Sequence, residues 1–341
     1  MTKHQLIKKS VLITGGTSGI GYQSVIQMLN TGSKVIILSR CDKRSIETHK
    51  LLEREAESKY INLNNVEFRT ADLADLKSVE EFADKFIKEN QSIDTVILNA
   101  GLQYTGDKEM RFSKQGLELT FAVNHISHQF LIQKIFNLIE RSEYPRIVIT
   151  SSEVHNPLTP GGRIGYSASL GDMNGLSSFD SYKTMVDGTN FNADKAYKDS
   201  KLCNVLFSRE LNKRLNDRGI DIPIICWAPG LVIPRSNQGF FRYSRKNNEL
   251  GQRLFAFLAR DIFHITESPH RAGKHLMELA LSGRYSDPGF SYYTNKLSPF
   301  SIGNLEKGEI SKEANDSFKA MKIWDISNQL ISNYCKLENI Y

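Results

Sequence analysis

Short apolar runs rich in β-branched residues alternate with longer stretches of helical spacing through the first two thirds of the chain. The runs are Ser10-Val11-Leu12-Ile13, Lys34-Val35-Ile36-Ile37-Leu38, Val66-Glu67-Phe68-Arg69, Thr95-Val96-Ile97-Leu98, Arg146-Ile147-Val148-Ile149 and Pro223-Ile224-Ile225-Cys226-Trp227. Between them, segments such as Val79 to Lys88 and Gly116 to Ile139 carry apolar residues at helical intervals. Strands that are apolar throughout need cover on both faces, and alternating helices supply it. The pattern predicts an α/β fold, a Rossmann-type doubly wound parallel sheet.

Two regions break the rhythm. From His155 to about Asn192 the chain is rich in Gly, Ser, Asn and Asp, and an irregular segment of that length inside a compact domain is usually functional or disordered. Beyond Gly230, Phe240, Phe241, Leu254, Phe255, Phe257, Leu258, Ile262 and Phe263 suggest amphipathic helices outside the sheet. The organisation expected is one dinucleotide-binding domain over 1–341, with a helical insertion at 155–195 and lid helices with a C-terminal extension at 235–341.

Composition changes this picture little. With 40% hydrophobic and 24% charged residues over 341 positions, the chain can bury one large core. A net charge of +6 without a dense Lys/Arg run gives no nucleic-acid signature. Cys41, Cys203, Cys226 and Cys335 are scattered, as expected of reduced thiols rather than a disulfide framework or zinc site. His125 and His128 lie on an apolar stretch, which suits packing; no metal is expected. With the first strand expected to begin near Ser10, no leader is expected before it, and no run of about 18 apolar residues predicts a membrane span. A cytoplasmic protein is expected. Peripheral contact with a membrane and self-association stay open, with 254–263 the segment suited to a membrane surface.

The first run leads into Thr14-Gly15-Gly16-Thr17-Ser18-Gly19-Ile20-Gly21 and then a helical stretch. Glycines at such a junction allow a tight turn and close approach to a pyrophosphate, which the helix N-terminus favours. The second run ends in Arg40, with Lys43 and Arg44 close behind. A guanidinium there suits a 2′-phosphate, whereas an acid would suit a free ribose hydroxyl, so NADPH is expected.

Tyr197 and Lys201 are four apart and share a helix face. A phenol titrates about three units too high for easy proton exchange at neutral pH, and a nearby ammonium favours its ionised form. Closing that gap takes roughly 4 kcal/mol, more than one exposed charge supplies, so the site is expected to be partly dry.

The spacing T-G-x-x-x-G-x-G, together with Tyr-x-x-x-Lys, resembles the short-chain dehydrogenases. That resemblance implies cofactor contacts from Gly15, Thr17, Ser18, Gly19, Ile20 and Gly21. It adds Asp72 and Leu73 at the adenine, Asn99, Ala100 and Gly101 near the adenine ribose, and Pro229 and Gly230 beside the nicotinamide. It also implies Tyr197 as proton donor, Lys201 tuning it and holding ribose, Ser152 orienting substrate, and Asn124 sustaining a relay water.

The long insertion narrows the resemblance. Ala168-Ser169-Leu170-Gly171-Asp172-Met173-Asn174-Gly175-Leu176, Met185-Val186-Asp187-Gly188 and Lys195-Ala196-Tyr197-Lys198-Asp199-Ser200-Lys201-Leu202-Cys203-Asn204 are similar to the light-dependent protochlorophyllide oxidoreductases. So is Lys322-Ile323-Trp324-Asp325-Ile326-Ser327 near the end. The likeness implies light-driven reduction of the C17–C18 double bond of a tetrapyrrole pigment. It departs after the sixth run, where that family reads Tyr-Pro-Gly-Cys and this chain reads Ala228-Pro229-Gly230-Leu231, and at Val154, where the family has threonine. A dark reductase of a bulky apolar carbonyl, of the retinol type, and a non-catalytic pigment binder are the alternatives.

Overall fold

Strand β1 (Ser10–Thr14) has almost no exposed side chain because it lies between two parallel neighbours, β2 (Lys34–Ser39) and β4 (Thr95–Leu98). The computed structural model describes residues 8–58, 61–176, 185–233, 266–298 and 301–337, together with Glu249 and Phe257. Its sheet runs β3-β2-β1-β4-β5-β6-β7-β8, with β3 at Val66–Thr70, β5 at Arg146–Thr150, β6 at Pro223–Ala228, β7 at Gly289–Ser298 and β8 at Ser301–Lys307. All pairings are parallel except β7 with β8. The order reverses beside β1, so the carboxyl ends of β1 and β4 open the crevice in which this class of sheet binds ligands.

Helices cover both faces. On one side lie α1 (Gly19–Asn30), α2 (Asp42–Ser58) and α8 (Pro269–Leu281), around Val25, Leu52 and Leu276. On the other lie α3 (Leu76–Glu89), α5 (Ser127–Glu140), α7 (Ala193–Asn216) and α9 (Ser317–Ser332), around Phe82, Phe130, Leu206 and Trp324. The six predicted strands are all present, and β7 and β8 are additional. Their sequence, with Ser, Tyr, Thr and Asn interspersed, reflects an edge that is only partly covered and so lacks a continuous apolar run.

Two expected spans look different in three dimensions. The segment read as one helix from Gly116 begins at α4 (Leu119–Phe121), passes through a π-turn at Ala122–Ile126 and only then enters α5. Of 235–341, α8 packs on α1, with Gln27 Nε2 donating to His270 O at 2.9 Å, and β7 continues the parallel sheet. The lid helices expected at 240–263 fall outside the described residues, apart from Glu249 and Phe257. Among the described residues no helix is long and apolar enough to cross a membrane.

Candidate active site

The end of β1 is organised by one hydroxyl. Thr14 Oγ1 accepts from Asn99 N and Ala100 N, both at 2.9 Å, and therefore turns its proton toward His128 Nε2 at 3.0 Å. His128 is thus a neutral imidazole whose Nδ1–H donates to Asn124 O at 3.1 Å. Burial, then the Lys201 charge, pushes its pKa down to about 3. His125 is likewise buried and bonded to Ser327 Oγ at 2.9 Å. Among the described residues no His/Cys/Asp/Glu group is built to hold a metal ion.

Gly21 lets the turn close on the helix, since a Cβ there would stand 2.2 Å from Gly15 O. Gly19 adopts φ +56°, and a Cβ on it would meet nothing within 4 Å, so its outer side is open. Ser18 caps α1 with extended backbone but no side-chain hydrogen bond, and the first turn holds no acid. The N–H groups at this positive helix end are left for an anion. A dinucleotide pyrophosphate fits there.

One cleft of about 1550 Å³ joins nearly all the predicted positions. Gly15, Thr17, Ser18, Gly19, Ile20, Gly21, Arg40, Asp72, Leu73, Asn99, Ala100 and Gly101 line one half, and Ser152, Tyr197, Lys201, Pro229 and Gly230 the other. Arg40 directly follows β2 and Arg44 lies in the first turn of α2; both line the cleft, and Arg44 is tied to Glu47 at 3.1 Å. Asp72 spends one oxygen on Ala74 N at 3.0 Å. Asn99 uses its amide to hold the glycine turn, donating to Thr14 O and Gly15 O at 3.3 Å. Its side chain acts here as a brace between β1 and β4.

Tyr197 and Lys201 project from the first turns of α7, which Asn192 caps by accepting from Lys195 N at 2.9 Å. Lys201 Nζ donates to Thr150 O at 3.0 Å and lies 5.7 Å from the centre of the Tyr197 ring. Ser152, at the exit of β5, hydrogen-bonds the Tyr197 phenol. Asn124 lies in the π-turn, behind the cleft wall rather than on its lining. Its Oδ1 accepts from Leu102 N at 2.9 Å, and its Nδ2 donates to Leu102 O and Ser200 Oγ at 3.0 Å. Burial lowers Lys201 to about 8 and drives Tyr197 well above the ordinary phenol range, against the Ser152 hydrogen bond. The expected lowering of the phenol is therefore not present in the protein alone: desolvation, with the Asp194 charge adding to it, outweighs the Ser152 hydrogen bond.

Sequence reasoning missed the residues that attach the insertion to this helix. Lys195 Nζ reaches Asp199 Oδ2 at 2.5 Å, Ser169 O at 2.7 Å and Asp187 Oδ2 at 3.0 Å. Lys198 pairs with Asp194 at 3.2 Å and donates to Tyr166 O at 3.0 Å and to Ile164 O. The signal was the charged i,i+4 spacing around Tyr197. Also missed were Glu153, His155 and Tyr292 on the substrate side of the cleft, which belong to no motif.

The short chain dehydrogenase profile matches residues 9–179. The chloroplast protochlorophyllide reductase of Cucumis sativus is 32% identical over 333 residues, covering 96% of this chain and 79% of that protein. Protochlorophyllide reductase A of Arabidopsis thaliana is 30% identical over 339 residues, covering 96% and 78%. Among solved structures, an uncharacterized protein from Mycobacterium paratuberculosis aligns with a TM-score of 0.64 at 23% identity, over 97% of each chain. L-sorbose reductase of Gluconobacter frateurii, solved with NADPH and L-sorbose, aligns at 0.62 and 15% identity, covering 89% of this chain and all of that one. These structural likenesses carry the fold, and the sequence matches carry more: this chain belongs to the short-chain dehydrogenase family, oxidoreductases that work with a nicotinamide cofactor.

Proposed function

We propose that the protein is an NADPH-dependent reductase of a large, flat, apolar substrate, and that this substrate is protochlorophyllide, reduced at its C17–C18 double bond under light. The observation that carries the reading is the insertion. It matches the pigment reductases in sequence, it is bonded to the catalytic helix through Lys195 and Lys198, and it brings exposed Leu158 and Ile164 to the cleft. Apolar side chains left open beside a polar reaction centre suit a ring system.

The glycine turn and the α1 N-terminus would hold the pyrophosphate, Asp72 the adenine, and Arg40 with Arg44 a 2′-phosphate. NADPH, when bound, supplies hydride to C17. Tyr197 gives its phenolic proton to C18, and Ser152 and Lys201 stabilise the oxygen left behind. Lys201 orients ribose; the relay water that the family resemblance gives to Asn124 would have to sit on its backbone carbonyl beside the His128 Nδ1–H, since its side chain is spent on Leu102 and Ser200. Burial keeps Tyr197 an acid, and the positive charge that an oxidised nicotinamide would supply in the cleft would favour its ionised form.

A second reading, dark reduction of a bulky apolar carbonyl, is favoured by Ala228, Leu231 and Val154, where the pigment reductases carry tyrosine, cysteine and threonine. One experiment separates them. Purified protein is mixed with NADPH and protochlorophyllide in darkness and then illuminated. A light-dependent red shift of the pigment absorption is expected. Binding without conversion would indicate a non-catalytic pigment binder, and neither binding nor conversion would leave the carbonyl reading. Arg40→Ala is expected to reduce the NADPH-over-NADH preference at least tenfold, the loss of one charged phosphate contact; an unchanged ratio in cofactor titrations would reject the 2′-phosphate assignment.

A further inference from the structure

Ser152 stands just beyond the sheet. The pairing of β5 with β6 ends at Thr150 and Trp227, and the last backbone bond between them is Ser151 N donating to Trp227 O at 2.8 Å. The Thr150 carbonyl is taken by Lys201 Nζ at 3.0 Å and by Asn204 Nδ2 at 3.1 Å. A carbonyl past the end of a ladder has to find its donor elsewhere. Among the described residues only His155 reaches the carbonyl of Ser152, the residue whose hydroxyl bonds the Tyr197 phenol. His155 closes the short turn Glu153–His155, and it holds Ser152 O twice, through its backbone N–H at 3.3 Å and through ring Nδ1 at 2.7 Å.

The ring itself is fixed on its other sides. Ser152 O can only accept, so the proton sits on Nδ1; Ser311 N–H can only donate, and it meets a bare Nε2 at 3.4 Å. That is a single neutral tautomer, and burial, which pushes the imidazole down to about 4, preserves it at neutral pH. The Tyr292 ring stands edge-on at 5.3 Å, and the histidine is 1% exposed. Behind the turn, Thr159 at the head of α6 (Pro160–Arg163) donates its hydroxyl to Glu153 O at 2.9 Å. The short bond of this ring goes to the serine, and the long one to Ser311.

We propose that His155 is a positioning residue: through Nδ1–H it fixes the Ser152 peptide, and with it the direction from which the Ser152 hydroxyl meets the Tyr197 phenol. The inference rests on the reading of Ser152 and Tyr197 as catalytic. It gives the two ring nitrogens unequal roles, Nδ1 serving the reaction and Nε2 only the contact with Ser311.

Two amides separate the nitrogens, because the asparagine side-chain nitrogen takes the place of Nδ1, whereas the end of a glutamine side chain reaches that of Nε2. Turnover of protochlorophyllide with NADPH under light is compared in wild type, His155→Gln and His155→Asn. His155→Gln is expected to lower kcat by about 10²-fold, the cost of displacing a positioned group by about 1 Å, with KM and NADPH affinity within about twofold of wild type. His155→Asn, which keeps the donor to Ser152 O, recovers most of that loss. A role in packing alone gives the reverse order, since glutamine replaces more of the ring, and that order overturns the proposal. In a Ser152→Ala background, His155→Gln should change kcat by no more than about twofold, and a full second loss there also overturns it. Crystal structures of both variants with NADPH supply a readout free of turnover: the Ser152–Tyr197 hydrogen bond is broken in His155→Gln and kept in His155→Asn. A bond kept in the first, or lost in the second, rejects the proposal. Failure of the wild type to turn over either the pigment in light or a naphthyl methyl ketone in darkness rejects the reductase reading alone, while the crystal structures still decide the role of His155.

Discussion

At the scale of single residues, the proposed chemistry turns on a half-buried phenol and a buried ammonium, whose pKa values desolvation moves in opposite directions, each toward its neutral form. Tyr197 stays protonated through the whole neutral range, while Lys201, lowered to about 8, is charged below that pH and loses its charge above it. Activity that needs the ammonium is therefore present at pH 7 and declines as pH rises through about 8. We expect that limb in the kcat/KM profile, which reports the free enzyme. Lys201→Arg, whose charge persists, should lack it in its residual activity. Tyr197→Phe should lower turnover by about 10²–10⁴-fold, the usual worth of a positioned general acid, with NADPH affinity within about twofold of wild type. A profile flat to pH 10 would show that the lysine charge is not required. That the two residues share a helix face was legible from spacing, and their roles from the family resemblance, but the direction of the tyrosine shift was not, because desolvation depends on what packs above the ring.

At the scale of elements, the insertion and α7 behave as one piece. Burial works against the Lys195 charge, but Asp199 and Asp187 outweigh it and hold its pKa above the ordinary value. The side chains are only 9%, 2% and 13% exposed, so removing the cation strands two enclosed carboxylates. Lys195→Met should cost about 3–5 kcal/mol in the unfolding free energy, as expected when one partner of a buried pair is lost. Amide exchange should rise in 165–176 and 185–192, while NADPH binding stays intact. Exchange unchanged in those segments would mean that other contacts hold the insertion. The strands of the sheet centre were legible because parallel strands buried on both faces must be apolar throughout. The edge pair β7 and β8, and the π-turn around Asn124, carry no comparable mark. One is only partly covered, and the other differs from an α-helix by a shift in hydrogen bonding that side-chain periodicity does not register.

For the molecule as a whole, burial of neutral imidazoles links stability to pH. Burial holds His125 and His128 near 3, with the Lys201 charge second for His128, and burial holds His155 near 4, all below the 6.5 of an unfolded chain. The unfolded state then binds more protons between those limits. Their contribution is fully present above pH 6.5 and is lost as pH falls toward 3 or 4. The urea midpoint should accordingly be lower at pH 5 than at pH 7.5. A midpoint that rises on acidification would give control to the buried Glu118, whose raised pKa acts with the opposite sign.

The linear sequence determined the class of sheet, the glycine turn and the Tyr197–Lys201 pair. Each depends on a local rule: alternation of apolar runs with helical stretches, backbone freedom at a strand-to-helix junction, and four-residue spacing on one helix face. Only the tertiary structure decided which polar groups near that pair are already satisfied. Asn99 is spent on bracing the turn, Lys195 and Lys198 on securing the insertion, and His128 on joining β1 to the π-turn. Glu153 alone among these is left facing the cleft without a partner among the described residues. Whether a polar side chain is free or engaged depends on what distant segments bring to it, and spacing along the chain does not carry that.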